Sequence, residues 1–126
     1  MENQIKIRTK KIGIDVIKLI DELPKKMSVL VISKQILRCS TSVGSNYRAA
    51  CRAKSDADFL NKLRIVEEES DETSFWLEIL EEANLIEPSR VEGLMKEVNA
   101  ITSIMVASQK TMQNKINFKN GNRMKS

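Results

Sequence analysis

An apolar repeat with alternating spacings of four and three runs through most of this chain. Phe59, Leu63, Val66, Ser70, Thr73, Leu77 and Leu80 carry it, and so do Leu94, Val98, Ile101, Met105, Ser108 and Met112. Ile32, Ile36, Cys39, Val43, Asn46 and Ala50 follow it more loosely, and Ile12, Val16, Leu19 and Leu23 follow it ahead of Pro24. That spacing holds one stripe of a helix against neighbours lying nearly parallel to it. Only four Gly and two Pro interrupt 126 residues, which argues for a few long elements rather than many short strands. The expected fold is all-α, an antiparallel up-down four-helix bundle.

The punctuation agrees with four helices. Pro24 ends the first, because a proline disfavours helical geometry in the residue before it. Ser28 reads as an N-cap for the second. Ser55 with Asp58 resembles a capping box for the third, and Ser89 with Glu92 is a regular one for the fourth, with Pro88 in the loop before it. The third helix should stop near Asn84. The expected spans are 5–23, 29–53, 56–83 and 90–114, and their short connections make consecutive helices antiparallel neighbours. Residues 1–116 form the bundle domain, and the Asn/Lys-rich stretch 117–126 reads as a disordered basic tail. No signal-like leader opens the chain and no apolar run approaches the ~18 residues of a membrane span, so the expected location is cytoplasmic.

Catalytic chemistry finds little to work with. The chain has no His, so an ordinary Ser or Cys triad is out of reach. Cys39 and Cys51 read as reduced thiols; a disulfide, or a zinc site completed by carboxylates or a second subunit, is the alternative. The run Glu67–Glu72 leaves most carboxylates facing outward, a solvated face with ion pairing to Arg38 or Lys34. No phosphate loop or dinucleotide fingerprint appears. The expectation is a non-enzyme with no cofactor and no metal. The stretch from Cys39 to Asn46 is rich in Ser, Thr and Gly, which are middling to poor helix formers. Small residues there let helices approach closely, with hydroxyls bonding carbonyls of their own helix or a facing polar side chain. Asn46 is expected to meet Ser70 or Thr73 in a buried polar layer that sets register.

Charge is distributed unevenly along the expected bundle. One pole, with the tail leaving it, gathers fourteen Lys and Arg against Glu2, Asp56 and Asp58, while the middle and the far pole are net acidic. Such a pole suits phosphate backbones, contacted without sequence reading. Arg48, Arg52, Lys54 and Lys62 are the candidate nucleic-acid residues; Arg38 lies mid-bundle and is assigned to an acidic neighbour. The alternative is a solvated pole. Tyr47, the one aromatic near this end, reads as packed rather than free to stack on bases. Ile14, Ile17 and Ile20 on the first helix, and Phe75, Trp76 and Ile79 on the third, exceed what one seam needs. They point either to subunit contacts or to a wide core stripe.

The stretch from Gln35 to Ala50 resembles a signature, Q-x-x-R-x-x-x-S-x-x-x-N, of small bacterial four-helix bundles encoded in intervening sequences of 23S ribosomal RNA genes. Asp58-Phe59-Leu60-Asn61-Lys62-Leu63, and then Glu69, Glu72, Trp76 and Leu77, resemble that family's second signature. The likeness spans roughly residues 8–115. It implies a ring-shaped homopentamer, and kinship to accessory proteins of diversity-generating retroelements, which bind nucleic acid and a reverse transcriptase through a basic surface. Many family members carry an acidic residue near Ala49 or Ala50; this chain has none. The expected function is therefore non-catalytic, sequence-tolerant RNA or DNA binding by a homo-oligomer. The alternative is a protein–protein adaptor ring with no direct nucleic-acid role.

Overall fold

Four helices account for nearly the whole chain. A computed structural model describes residues 1–125 as α1 (Glu2–Asp21), α2 (Met27–Ala50), α3 (Asp56–Glu82) and α4 (Pro88–Lys125). They run up and down in order. α2 lies between α1 and α3, α3 packs on α4, and α1 and α4 meet less closely. No strand occurs among the described residues, and no helix is long and apolar enough to cross a membrane.

The expected seams form the core. Ile12, Val16, Leu19, Leu63, Val66, Leu77, Leu80, Val98, Ile101 and Met105 are all buried. The seam of α1 starts earlier than expected: Ile5 and Thr9 continue the same spacing and are buried. On α2 the expected Ile36, Cys39, Val43 and Ala50 are buried, but the two ends of the inward stripe shift by one residue. Val29, Ser33 and Tyr47 take buried positions, while Ile32 and Asn46 lie at its edge.

Helix ends depart from expectation where cap and breaker signals compete. Ser28 is not an N-cap; α2 starts one residue ahead of it, with Lys26 at the cap and no side-chain cap bond. Ser89 does not cap α4 either, because Pro88 is itself the first helical residue, where its fixed φ and missing N–H cost nothing. Ser55 does cap α3: its Oγ accepts from the Asp58 N–H at 3.0 Å. The Asp58 carboxylate reaches back one residue further than in the regular box, accepting from the Lys54 N–H. Asn84 stops α3 as expected. It sits at φ 57°, and Leu85 N–H donates to Leu80 O while Asn84 N–H donates to Glu81 O. This is the Schellman closure, with Asn in the position usually held by Gly.

α4 is longer than expected. It continues through Asn117–Lys125, the segment read as a disordered tail, with no proline to interrupt it and with Lys119 reaching the first residue of α3. Lys119 Nζ lies 2.6 Å from an Asp56 oxygen and Lys115 Nζ 3.6 Å from the other. Ser126, the last residue of that expected tail, lies outside the described residues.

Across the open side, Arg8 grips Glu97 with two hydrogen bonds of 2.9 and 2.7 Å. The pair joins α1 to α4. Hydrogen bonding from Arg8 holds the Glu97 carboxyl below its ordinary value of 4.5. A folded-state pKa below the unfolded one adds stability above the unfolded value, and that increment is lost as pH falls through the folded value. Glu97→Gln should therefore be less stable than wild type at neutral pH, with the gap closing below pH 4.5. Thermal melts across pH test this; a gap that persists at pH 3 would contradict it.

Candidate functional site

α2 delivers its last turn, and the turn after it, to the basic end. Arg48 is the basic residue of that last turn, and Arg52 follows the cap residue Cys51. Both are exposed. Cations suit a helix C-terminus, whose unpaired carbonyls present partial negative charge. Lys10 of α1 is exposed near Arg48, and the two border one groove. Among the described residues, Lys10, Arg48 and Arg52 have no ion-pair partner.

The other two candidates are differently placed. Lys62 is half-buried and pairs with Asp58 at 3.0 Å, one turn earlier on the same helix. Lys54 is exposed, but its charge is also directed at Asp58, whose carboxyl is held down by Lys62 first and by Lys54 as well. Asp56 is likewise held down by Lys119 and Lys115. The two acidic residues in the first turn of α3 thus occupy much of the lysine charge at this end. The arginines of α2 remain outside that network.

Arg38 behaves as expected. Its guanidinium bonds Glu72 and, at 3.3 Å, Glu69. Glu72 also accepts from the Trp76 indole N–H. The family-like positions Arg38, Glu69, Glu72 and Trp76 therefore form one network across α2 and α3. Tyr47 is buried, and burial pushes its hydroxyl up to about 12. It offers no ring to a stacked base.

The polar layer exists, but without Asn46. Asn46 Nδ2 donates to the Ser42 carbonyl of its own helix at 2.9 Å. Tyr47 is buried in its place. Ser70 instead meets α4, with its Oγ 2.7 Å from Thr102 Oγ1 and 3.1 Å from Val98 O. Thr73 meets α2 through the Cys39 thiol, at 3.3 Å. Ser74 adds a bond to Asn99 at 3.2 Å. These contacts span α2, α3 and α4 and leave no buried side-chain N or O atom without a partner among the described residues.

Nucleophiles and metal ligands are not assembled. Burial pushes the Cys39 thiol up to about 11, far from a reactive thiolate. Among the described residues no three His, Cys, Asp or Glu side chains converge as a metal site. Sequence reasoning missed two features of this region. Thr9 was legible, since it fills the gap between Ile5 and Ile12 in the same seam. The Arg8–Glu97 pair was not, because it depends on the relative height of α1 and α4.

The comparisons with known proteins bear on the family and the fold. A family model described as 23S rRNA-intervening sequence protein matches residues 1–107. A crystal structure from Bacteroides thetaiotaomicron VPI-5482, of a protein with unknown function from the S23 ribosomal protein family, superposes with a TM-score of 0.80 at 34% sequence identity. The match covers 86% of this chain and 97% of that one. A search of curated proteins gives no match.

Proposed function

The chain belongs to the 23S rRNA-intervening sequence protein family, and on that premise we propose that it is a cytoplasmic, self-associating, non-catalytic bundle that holds RNA or DNA by the phosphate backbone at the end where α2 finishes. The observation that carries this reading is the exposed, unpaired set Lys10, Arg48 and Arg52. Guanidinium groups without an internal carboxylate are available for bidentate contact with phosphate oxygens. With no free aromatic beside them, they grip backbone rather than read bases. Lys54 contributes field, and Lys62 is largely spent on Asp58.

Binding of this kind releases counterions, so affinity for duplex DNA falls with a log–log salt slope of about −0.9 per phosphate contacted. Fluorescence anisotropy with structured RNA, single-stranded RNA and duplex DNA at several salt concentrations measures it. Arg48→Ala/Arg52→Ala should flatten the duplex slope by about 2, and Lys62→Ala should leave it unchanged. No binding at low salt, or equal slopes for all three proteins, would reject the reading. The second reading, an adaptor ring for a partner protein, draws on the apolar residues left exposed on α1 and α3. It becomes the working one in that event.

A further inference from the structure

α4 outruns the family match. The matched region stops at residue 107, yet the helix continues to Lys125. After Glu97 it carries no Asp or Glu, while Lys110, Lys115, Lys119, Arg123 and Lys125 follow. Cations favour a helix C-terminus, but that effect fades within the last turn, and Lys110 and Lys115 stand well before it. Lys119 reaches Asp56, the first residue of α3, at 2.6 Å. This stretch therefore lies at the end of the bundle where α2 finishes. Phe118 sits within it and is 70% exposed, the most exposed aromatic side chain of the protein. Lys110, Asn114 and Phe118 are spaced by four and all exposed, so they share one strip of the helix, with Lys115 beside them. Lys110 has no ion-pair partner among the described residues, and Lys115 is held only loosely, 3.6 Å from Asp56. Gly121 occupies the turn after Phe118, and a Cβ added there would meet nothing within 4 Å. A helical side chain leans over the turn before it, so the side of the ring towards Gly121 is open.

An open aromatic face among cations suits an unpaired base and its phosphates: the ring stacks, and the ammonium groups take the backbone. Duplex bases are stacked on one another and offer no such face. We propose that α4 beyond residue 107 is an arm for single-stranded RNA or DNA, in which Phe118 receives one unpaired base and Lys110 and Lys115 hold phosphates beside it. Every base has a π-face, so the arm keeps binding sequence-tolerant. This rests on the nucleic-acid reading above and adds a class of substrate to it. It draws on none of Lys10, Arg48 and Arg52, which remain the grip on a phosphate backbone of any kind.

Three probes separate base from backbone: a short labelled single strand, the same strand with abasic sites in place of its bases, and the duplex. By fluorescence anisotropy, Phe118→Ala should weaken binding of the intact strand about 5- to 150-fold, the worth of one stacked base. It should bind the abasic strand and the duplex as wild type does. Phe118→Leu keeps an apolar side chain without a ring and should behave as Phe118→Ala. Phe118→Trp should restore the single strand. Lys110→Ala/Lys115→Ala should flatten the single-strand salt slope by about 1.4. All these side chains are exposed, so each variant should melt as wild type does by circular dichroism. Full single-strand affinity in Phe118→Ala or Phe118→Leu, an equal loss on the abasic strand, or an unchanged slope in the lysine variant would overturn the arm and leave the duplex test of Arg48 and Arg52 standing. A wild type that binds no nucleic acid at low salt would overturn both.

Discussion

Gly44→Ala should destabilise the bundle, although alanine is the better helix former. A Cβ built at Gly44 would lie 3.0 Å from Lys10 Cα, 3.1 Å from Lys10 N and 3.2 Å from the Thr9 carbonyl carbon. All three are backbone atoms, and no rotamer change relieves them. Thr9 is fully buried, so α1 is packed tightly at this height, and its hydroxyl is satisfied within α1 by the Ile5 carbonyl at 2.8 Å. Helix propensity favours Ala by about 1 kcal/mol, and overpacking opposes it by about 1–3 kcal/mol, so the net should be a loss. Gly44→Leu should separate α1 from α2 and cost at least the upper end of that range. Gly93 is the internal control. It is also helical, but nothing lies within 4 Å of its added Cβ, so Gly93→Ala should stabilise by about 0.5–1 kcal/mol. Urea denaturation of the three variants reads both signs. If Gly44→Ala stabilised as Gly93→Ala does, α1 would not be locked against α2 at this height.

The repeat of four and three made the architecture legible because it reports burial directly. Each seam residue that sits on a stripe facing two neighbours is apolar or small for that reason. Capping was legible where one signal acted alone, as at Ser55 and Asn84. It failed at Ser89, where Pro88 offered a competing start. Most of the α2 stripe was read correctly, at Ile36, Cys39, Val43 and Ala50, but Asn46 was taken for Tyr47 because the two are adjacent and either continues a 4/3 spacing within one residue. Which faces inward depends on the side chains of α1 and α3 that meet it, and these are not local to α2. The candidate site was half legible. Arg48 and Arg52 could be picked out as basic residues at a helix end, and Arg38 as an ion-pair partner. That Asp58 would claim Lys62 was within reach, since the two stand four apart on one helix. That Asp56 would draw in Lys115 and Lys119 was not, because it required α4 to continue past the expected end.

Two nearby residues of α3, Leu77 and Phe75, should separate core packing from the exposed apolar surface available to the proposed self-association. Leu77 is 0% exposed, at the centre of the core. Leu77→Ala removes three carbons from a packed site and should cost about 2–5 kcal/mol, a fall in melting temperature of roughly 8–20 °C for a domain of this size. Phe75 is 50% exposed and, among the described residues, touches Trp76 alone of the aromatic rings. In an isolated subunit Phe75→Ala should cost only about 1 kcal/mol, the size of an edge-to-face contact. The two variants should differ most in how melting depends on concentration. Association that favours the folded state raises the melting temperature with protein concentration. Wild type and Leu77→Ala both keep the exposed Phe75 ring, so under the proposed self-association both should show that rise, at different absolute temperatures. Phe75→Ala should melt at one temperature whatever the dilution. The reverse pattern, with dilution mattering to Phe75→Ala and not to Leu77→Ala, would place the joining surface elsewhere on the bundle.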